Sequence, residues 1–206
     1  MYEDAWQIRD NEKFLMDFVL HEDFVDSILD RLMRRNLNRA VDYARAGVDL
    51  LTSGDDVANQ NAMMFSPEIW RKHIKSRWAK VYAAARAVKP DIQIQYHSDG
   101  NIWEIIPELL EIGVTILNPV QPECIDPMAV RKRFGKRLVL DGTIGTQTTF
   151  PFGTPETMTA MVREMIETVG KDGGLILAPT HVLEPDVPIE NIQAFFDACQ
   201  AYGRYN

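Results

Sequence analysis

The chain has 206 residues, enough for one domain with a substantial core and too few to favour two of ordinary size. Its formal net charge of -8, from 30 acidic against 22 basic side chains, repels a phosphate backbone, and no Lys/Arg cluster interleaved with aromatics offsets it, so nucleic acid is excluded as a partner. With 46% hydrophobic and 25% charged residues and no apolar run near the ~18 residues of a membrane span, the composition is that of a soluble globular protein with no membrane partner.

The opening Met1-Tyr-Glu-Asp is acidic and lacks the apolar stretch of a secretion signal, so a cytoplasmic location is expected. Cys124 and Cys199 are too few and too far apart for a disulfide framework or a Cys-x-x-Cys zinc site and read as reduced thiols.

From about Leu15 to Ala46, apolar residues recur at three- and four-residue spacings (Val19, Phe24, Ile28, Leu32, Leu37, Val41), predicting two helices joined near His21 and stopped at Gly47. Val48 to Thr52 then reads as a short strand. Ser66-Pro67 is an N-cap followed by proline at the first helical position, opening a long helix to about Val88, and Ile92 to Tyr96 is the second strand. Trp70, Trp78 and Tyr82 on this helix read as packing residues, and Met63-Met64-Phe65 as either a loop lining or core. A helix from about Trp103 to Glu111 precedes a strand at Val114 to Leu117, and one from Pro127 to Phe134 precedes a strand at Arg137 to Leu140. Thr154-Pro155 starts the next helix, Leu175 to Ala178 is the fifth strand, and a helix from Ile189 to Tyr202 closes the series.

Strands alternating with helices imply parallel pairing with right-handed crossovers, either as a doubly wound sheet or as a (β/α)8 TIM barrel. No Gly-x-Gly-x-x-Gly turn favours a dinucleotide-binding sheet, and polar residues gather at each strand end, where a barrel builds its active site. Five βα units do not close a barrel of eight. The fold class is therefore an incomplete barrel, one domain over 1-206, expected to be the C-terminal portion and to form a homo-oligomer or join an N-terminal partner chain.

The strand-end residues are Asp55 and Asp56, His97 and Asp99, Asn118 with Gln121, Asp141 with Thr143, and Thr180 with His181. His97, Asp99 and His181 form a set able to bind zinc, with iron or manganese equally suited to imidazole and carboxylate donors; the alternative is that His97 and Asp99 only hydrogen-bond loop backbone. His181 suits general acid or base work, with Asp99 as a second catalytic candidate. Asp55 and Asp56 serve either to hold a substrate or as a helix-capping context. Asn118, Gln121, Asp141 and Thr143 are suited to orienting a polar substrate, although Asn118-Pro and Asp141-Gly are also turn formers. His21 and His73 lie among charged neighbours in helical segments and read as surface histidines without function.

Four stretches, Tyr96-His-Ser-Asp-Gly-Asn101, Ile116-Leu-Asn-Pro-Val-Gln-Pro122, Gly142-Thr-Ile-Gly-Thr-Gln147 and the segment Gly173 to Asn191, make the chain resemble the uroporphyrinogen decarboxylase superfamily. That superfamily holds the haem-pathway decarboxylase and methyltransferases that act with corrinoid proteins. The resemblance implies the C-terminal part of the barrel, without its first strands. In the methyltransferases a His-x-Cys pair and a later Cys bind zinc, and the resemblance puts His97, Asp99 and His181 at those places, with harder donors in both cysteine positions. In the decarboxylase branch a Gly-His-Gly histidine touches the tetrapyrrole, and His181 matches it between Thr180 and Val182. The implied chemistry is thus metal-dependent methyl transfer to a small-molecule or corrinoid-protein substrate, decarboxylation of a tetrapyrrole by a carboxy-lyase, or no catalysis in a half-barrel that assembles with a partner.

Overall fold

The computed structural model describes residues 1-204. Five parallel strands follow one another in space as they do in the chain, β1 to β5, with helices between them, so the incomplete barrel of βα units is the architecture found. The chain divides into two compact units, Met1 to Thr115 and from Ile116 onward. No helix among the described residues is long and apolar enough to cross a membrane.

In the first unit, α1 (Tyr2–Arg9), α2 (Asn11–Leu20) and α3 (Glu22–Arg45) precede β1 (Leu50–Gly54). The periodicity places the α2–α3 joint at His21, where it is found, but α1 is an addition. Asp10, in the left-handed region at φ 86°, breaks α1 from α2 and caps the latter by accepting from the Lys13 amide at 3.3 Å. Phe14 and Phe18, four apart on α2, close an aromatic cluster with Tyr2 and Phe65, at ring separations from 5.1 Å for Tyr2 and Phe65 to 6.3 Å for Tyr2 and Phe18. Phe65 is therefore core rather than loop lining.

The segment after Ser66 is not one uninterrupted helix. α4 (Pro67–Trp70) passes through a π-helical turn, Arg71–Lys75, into α5 (Ser76–Val88). The wider turn swings His73 inward against α3, so its side chain is only 2% exposed, contrary to the surface position its neighbours suggest. There Nδ1 lies 2.8 Å from Asp26 Oδ1 and the Phe18 ring centroid is 5.4 Å away. Arg77 ties the same corner, donating to Asp30 at 2.8 Å, Asp26 at 3.0 Å and the His73 carbonyl at 2.5 Å. Trp70, Trp78 and Tyr82 are all buried, as packing residues.

β1 pairs in parallel with β2 (Gln93–His97), from Leu50 opposite Gln93 to Gly54 opposite His97. α6 (Ile106–Glu111) follows. In the second unit β3 (Ile116–Asn118) pairs with β4 (Val139–Asp141), and β4 with β5 (Leu175–Ile176). α7 (Pro127–Phe134) begins at an Asp126 cap that accepts from the Met128 amide at 2.8 Å and ends in Arg131-Lys-Arg133, charges that suit its dipole. Arg131 spends its guanidinium on backbone carbonyls, those of Val169, Gly135 and Gly174, at 2.9, 2.7 and 2.5 Å. α8 (Thr149–Phe152) and α9 (Pro155–Glu167) come before β5, and α10 (Ile189–Tyr202) packs on α9. A capping box between Thr154 and Thr157 opens α9.

Candidate functional site

Three of the strands end on a polar residue: His97 closes β2, Asn118 closes β3 and Asp141 closes β4. β1 ends at Gly54, and the two aspartates that follow part company. Asp55 is fully buried; its carboxylate takes hydrogen bonds from Trp78 Nε1 at 2.9 Å and the Glu3 amide at 3.2 Å, and pairs with the Met1 amino group. Burial pushes its pKa above the ordinary carboxylate range, against the pull of these donors. The same pocket pushes the Tyr2 phenol up to about 12, by burial and by the Asp55 and Glu3 charges. Asp55, a substrate-binding candidate from its strand-end position, is thus turned inward as an anchor, because consecutive residues of extended chain face opposite ways.

Asp56 faces the other way and is half-buried beside the β2 end. Its Oδ1 accepts the Asp99 amide at 2.8 Å and lies 3.6 Å from His97 Nε2. One ligand atom each from Asp56, His97 and Asp99 lies within 4.8 Å of the other two. Ligands bound to one cation at about 2.0–2.2 Å stand roughly 3–3.5 Å apart, so small side-chain rotations would gather the three. An imidazole and two carboxylates are a hard donor set, suited to zinc, iron or manganese. The residues present fit a divalent cation.

A second such group, Glu22, Asp26 and His73, lies on α3 and the π turn. Lys72 already pairs with Glu22, and Arg77 with Asp26, so its negative charge is balanced by protein cations. It is an ion-pair network joining two helices.

In the second unit Asn118 donates from Nδ2 to Asp141 Oδ2 at 3.0 Å, and the Asn118–Pro119 peptide is cis. Asp141 and Gln121 are buried, and Thr143 is fully so, with a hydroxyl that has no hydrogen-bond partner among the described residues. Thr180 is buried and its hydroxyl lies 3.0 Å from that of Thr146, while His181 is exposed. Among the described residues, the group that includes His97 and Asp99 is completed by Asp56 of the same unit.

Residue types alone do not show the parts that hold these loops. Val57 donates its amide to Ser98 Oγ at 3.3 Å, Asp55 donates its amide to the His97 carbonyl at 3.0 Å, and Asn101 donates to the Asn59 carbonyl at 2.8 Å. The signal available in the sequence is the glycine of Ser98-Asp-Gly-Asn101 and the glycine before Asp55-Asp56.

Among solved structures the chain is similar to a methyltransferase from Methanosarcina mazei, with a TM-score of 0.75 and 22% identity, over 94% of this chain and 54% of that one. It spans about half of that protein's length, and at this identity the likeness is one of fold. No curated protein matches the chain. The family model for uroporphyrinogen decarboxylase (URO-D) matches residues 5–202, nearly the whole chain. A parallel βα architecture with polar strand ends, and this match from end to end, place the chain in the uroporphyrinogen decarboxylase (URO-D) family.

Proposed function

We propose that the chain carries the metal-binding part of a methyltransferase related to the corrinoid-dependent branch of its family, with a divalent cation held by Asp56, His97 and Asp99. The observation that carries this reading is the convergence of those three side chains at the ends of β1 and β2. A bound cation would act there as a Lewis acid towards the methyl acceptor. The family match and the fold likeness to a protein described as a methyltransferase support the class.

The chain's own residues have distinct parts in this reading. Asp56 orients the loop that carries Asp99 through the Asp99 amide, so the two carboxylates keep their spacing before any ligand arrives. Within the second unit, Asn118 and Asp141 form one hydrogen-bonded pair, and Gln121 and the Thr143 hydroxyl are further polar groups of a kind suited to a small-molecule substrate or a corrinoid. His181, exposed after β5, is assigned as proton donor or acceptor, since an imidazole offers a nitrogen able to play either part. A tetrapyrrole decarboxylase would instead need basic groups for several carboxylates, and Asp56, Asp99 and Asp141 supply the opposite charge.

Metal analysis by plasma mass spectrometry tests the site. About one equivalent of zinc, iron or manganese is expected in the wild-type protein and less than about a tenth in Asp56→Ala, His97→Ala and Asp99→Ala, while His181→Ala keeps its metal. A wild-type protein that takes up no cation from any of the three would overturn the reading.

A further inference from the structure

We infer that Gly100 and Gly54 are positioning residues for the Asp56/His97/Asp99 group, setting the gap between the two loops that carry it. The inference rests on the cation-site reading given above.

Gly100 adopts φ +80°, and a Cβ placed there would stand 2.4 Å from the carbonyl oxygen of Asn59 and 2.7 Å from its carbonyl carbon. Gly54, at φ +146°, would bring a Cβ to 2.0 Å from the His97 carbonyl oxygen. In both cases the obstacle is backbone, which has no side-chain torsion by which to yield. The two contacts lie on either side of the site: Gly54 precedes Asp56 by two residues and presses on His97, while Gly100 follows Asp99 and presses on the turn beyond Asp56. Between them run the Asp55-to-His97, Val57-to-Ser98, Asp99-to-Asp56 and Asn101-to-Asn59 hydrogen bonds. Asn101 adds a bond from Nδ2 to the Asn61 carbonyl at 3.2 Å, and the Ala58–Met63 bridge closes the turn on itself. Two backbones can come this close only where one of them lacks a Cβ at the point of contact, and that approach is what leaves the carboxylates and the imidazole within reach of a single ion.

Other glycines provide the control. Gly47 and Gly135 have φ +85° and +61°, yet a Cβ at either meets nothing within 4 Å. Alanine there imposes left-handed backbone strain without pushing two loops apart.

The test measures Mn2+ and Zn2+ binding by titration calorimetry, and amide hydrogen exchange of the metal-free protein, for Gly100→Ala, Gly54→Ala, Gly47→Ala and Asn101→Ser. Gly100→Ala and Gly54→Ala should weaken cation binding about 10- to 100-fold and expose the Asp99 and Asn101 amides to exchange, with Gly47→Ala unchanged in both. Asn101→Ser, whose shorter hydroxyl still accepts from the Trp103 amide but does not reach Asn61, should weaken binding several-fold without backbone strain, and stands in if either glycine variant fails to fold. Wild-type affinity and protection in folded Gly100→Ala and in Asn101→Ser, or an equal loss in Gly47→Ala, would overturn the inference. If the wild-type protein binds neither ion, the cation reading fails by itself, and the exchange of Asp99 and Asn101 still decides whether the glycines set the loops.

Discussion

A histidine flanked by Lys72 and followed two residues on by Lys75 is ordinarily a solvated one, and nothing in the chain around His73 says otherwise. Only the π turn, which no residue pattern announces, brings the imidazole onto α3. Once there it lies between Asp26, Glu22 and Phe18, and its removal empties a buried space against Phe18 and takes from the half-buried Asp26 carboxylate one of two donors, the other being Arg77. His73→Ala is expected to lower the unfolding free energy in urea by roughly 2 kcal/mol, against no more than about 0.5 for Lys72→Ala at the exposed end of the same network. Equal small losses would mean that the network contributes little. The Asp55-Asp56 pair makes a related point: both are legible as site candidates, and which one faces the site depends on where β1 ends, a one-residue matter that composition does not resolve.

At the level of elements, all five strands and most helices are legible in hydrophobic periodicity and capping residues, but several strand limits move. The apolar runs begin at Val48, Ile92, Val114 and Arg137, whereas the hydrogen-bonded strands begin at Leu50, Gln93, Ile116 and Val139 and extend to Gly54, His97, Asn118 and Asp141. Each shift is towards the C-terminal end: Ile92, Val114 and Leu138 are buried ahead of the paired residues, while the strands continue into polar residues at their ends. The fifth strand departs differently, pairing only at Leu175–Ile176. α1 and α8 carry no comparable periodic signal: the first is two turns long and the second a single turn. α10 is tied to α8 by a side chain whose role is equally hidden. Buried Asn191 donates from Nδ2 to the carbonyls of Phe150 and Gly153 at 2.8 and 2.9 Å. Asn191→Ala would leave the buried Phe150 carbonyl and the part-buried Gly153 carbonyl without this donor, and thermal or urea unfolding should report a loss of about 1–3 kcal/mol. Asn191→Asp, which replaces the donor by an acceptor, should cost at least as much.

Across the molecule the acidic excess governs how stability depends on pH. Burial opposes the charge on Asp26, yet the His73 and Arg77 bonds hold its carboxyl below the usual range; Lys75 and Arg71 do the same for Glu108 against burial, and Arg9 does so for Asp17. Carboxylates depressed in this way bind protons more readily in the unfolded chain, so their contribution is complete above about pH 4–5 and is lost as pH falls towards their folded values. Asp55 works in the other direction, since its raised pKa lets the folded state take a proton first on acidification. The melting temperature should therefore stay nearly level from about pH 7 to 5 and fall below about pH 4, with Asp26→Asn flattening part of the fall. A melting curve that is level to pH 3, to the nearest unit or so, would show that these pairs are not energetically coupled to folding.

Strand order in space that repeats strand order in the chain has a consequence for how the protein is made on the ribosome. β2 needs only β1, already synthesised, to complete its ladder; β4 needs only β3, and β5 only β4. No strand within either unit waits for a later one to be inserted beside it, so each pairing can form as the nascent chain lengthens, a route by which little edge stays unpaired for long during translation.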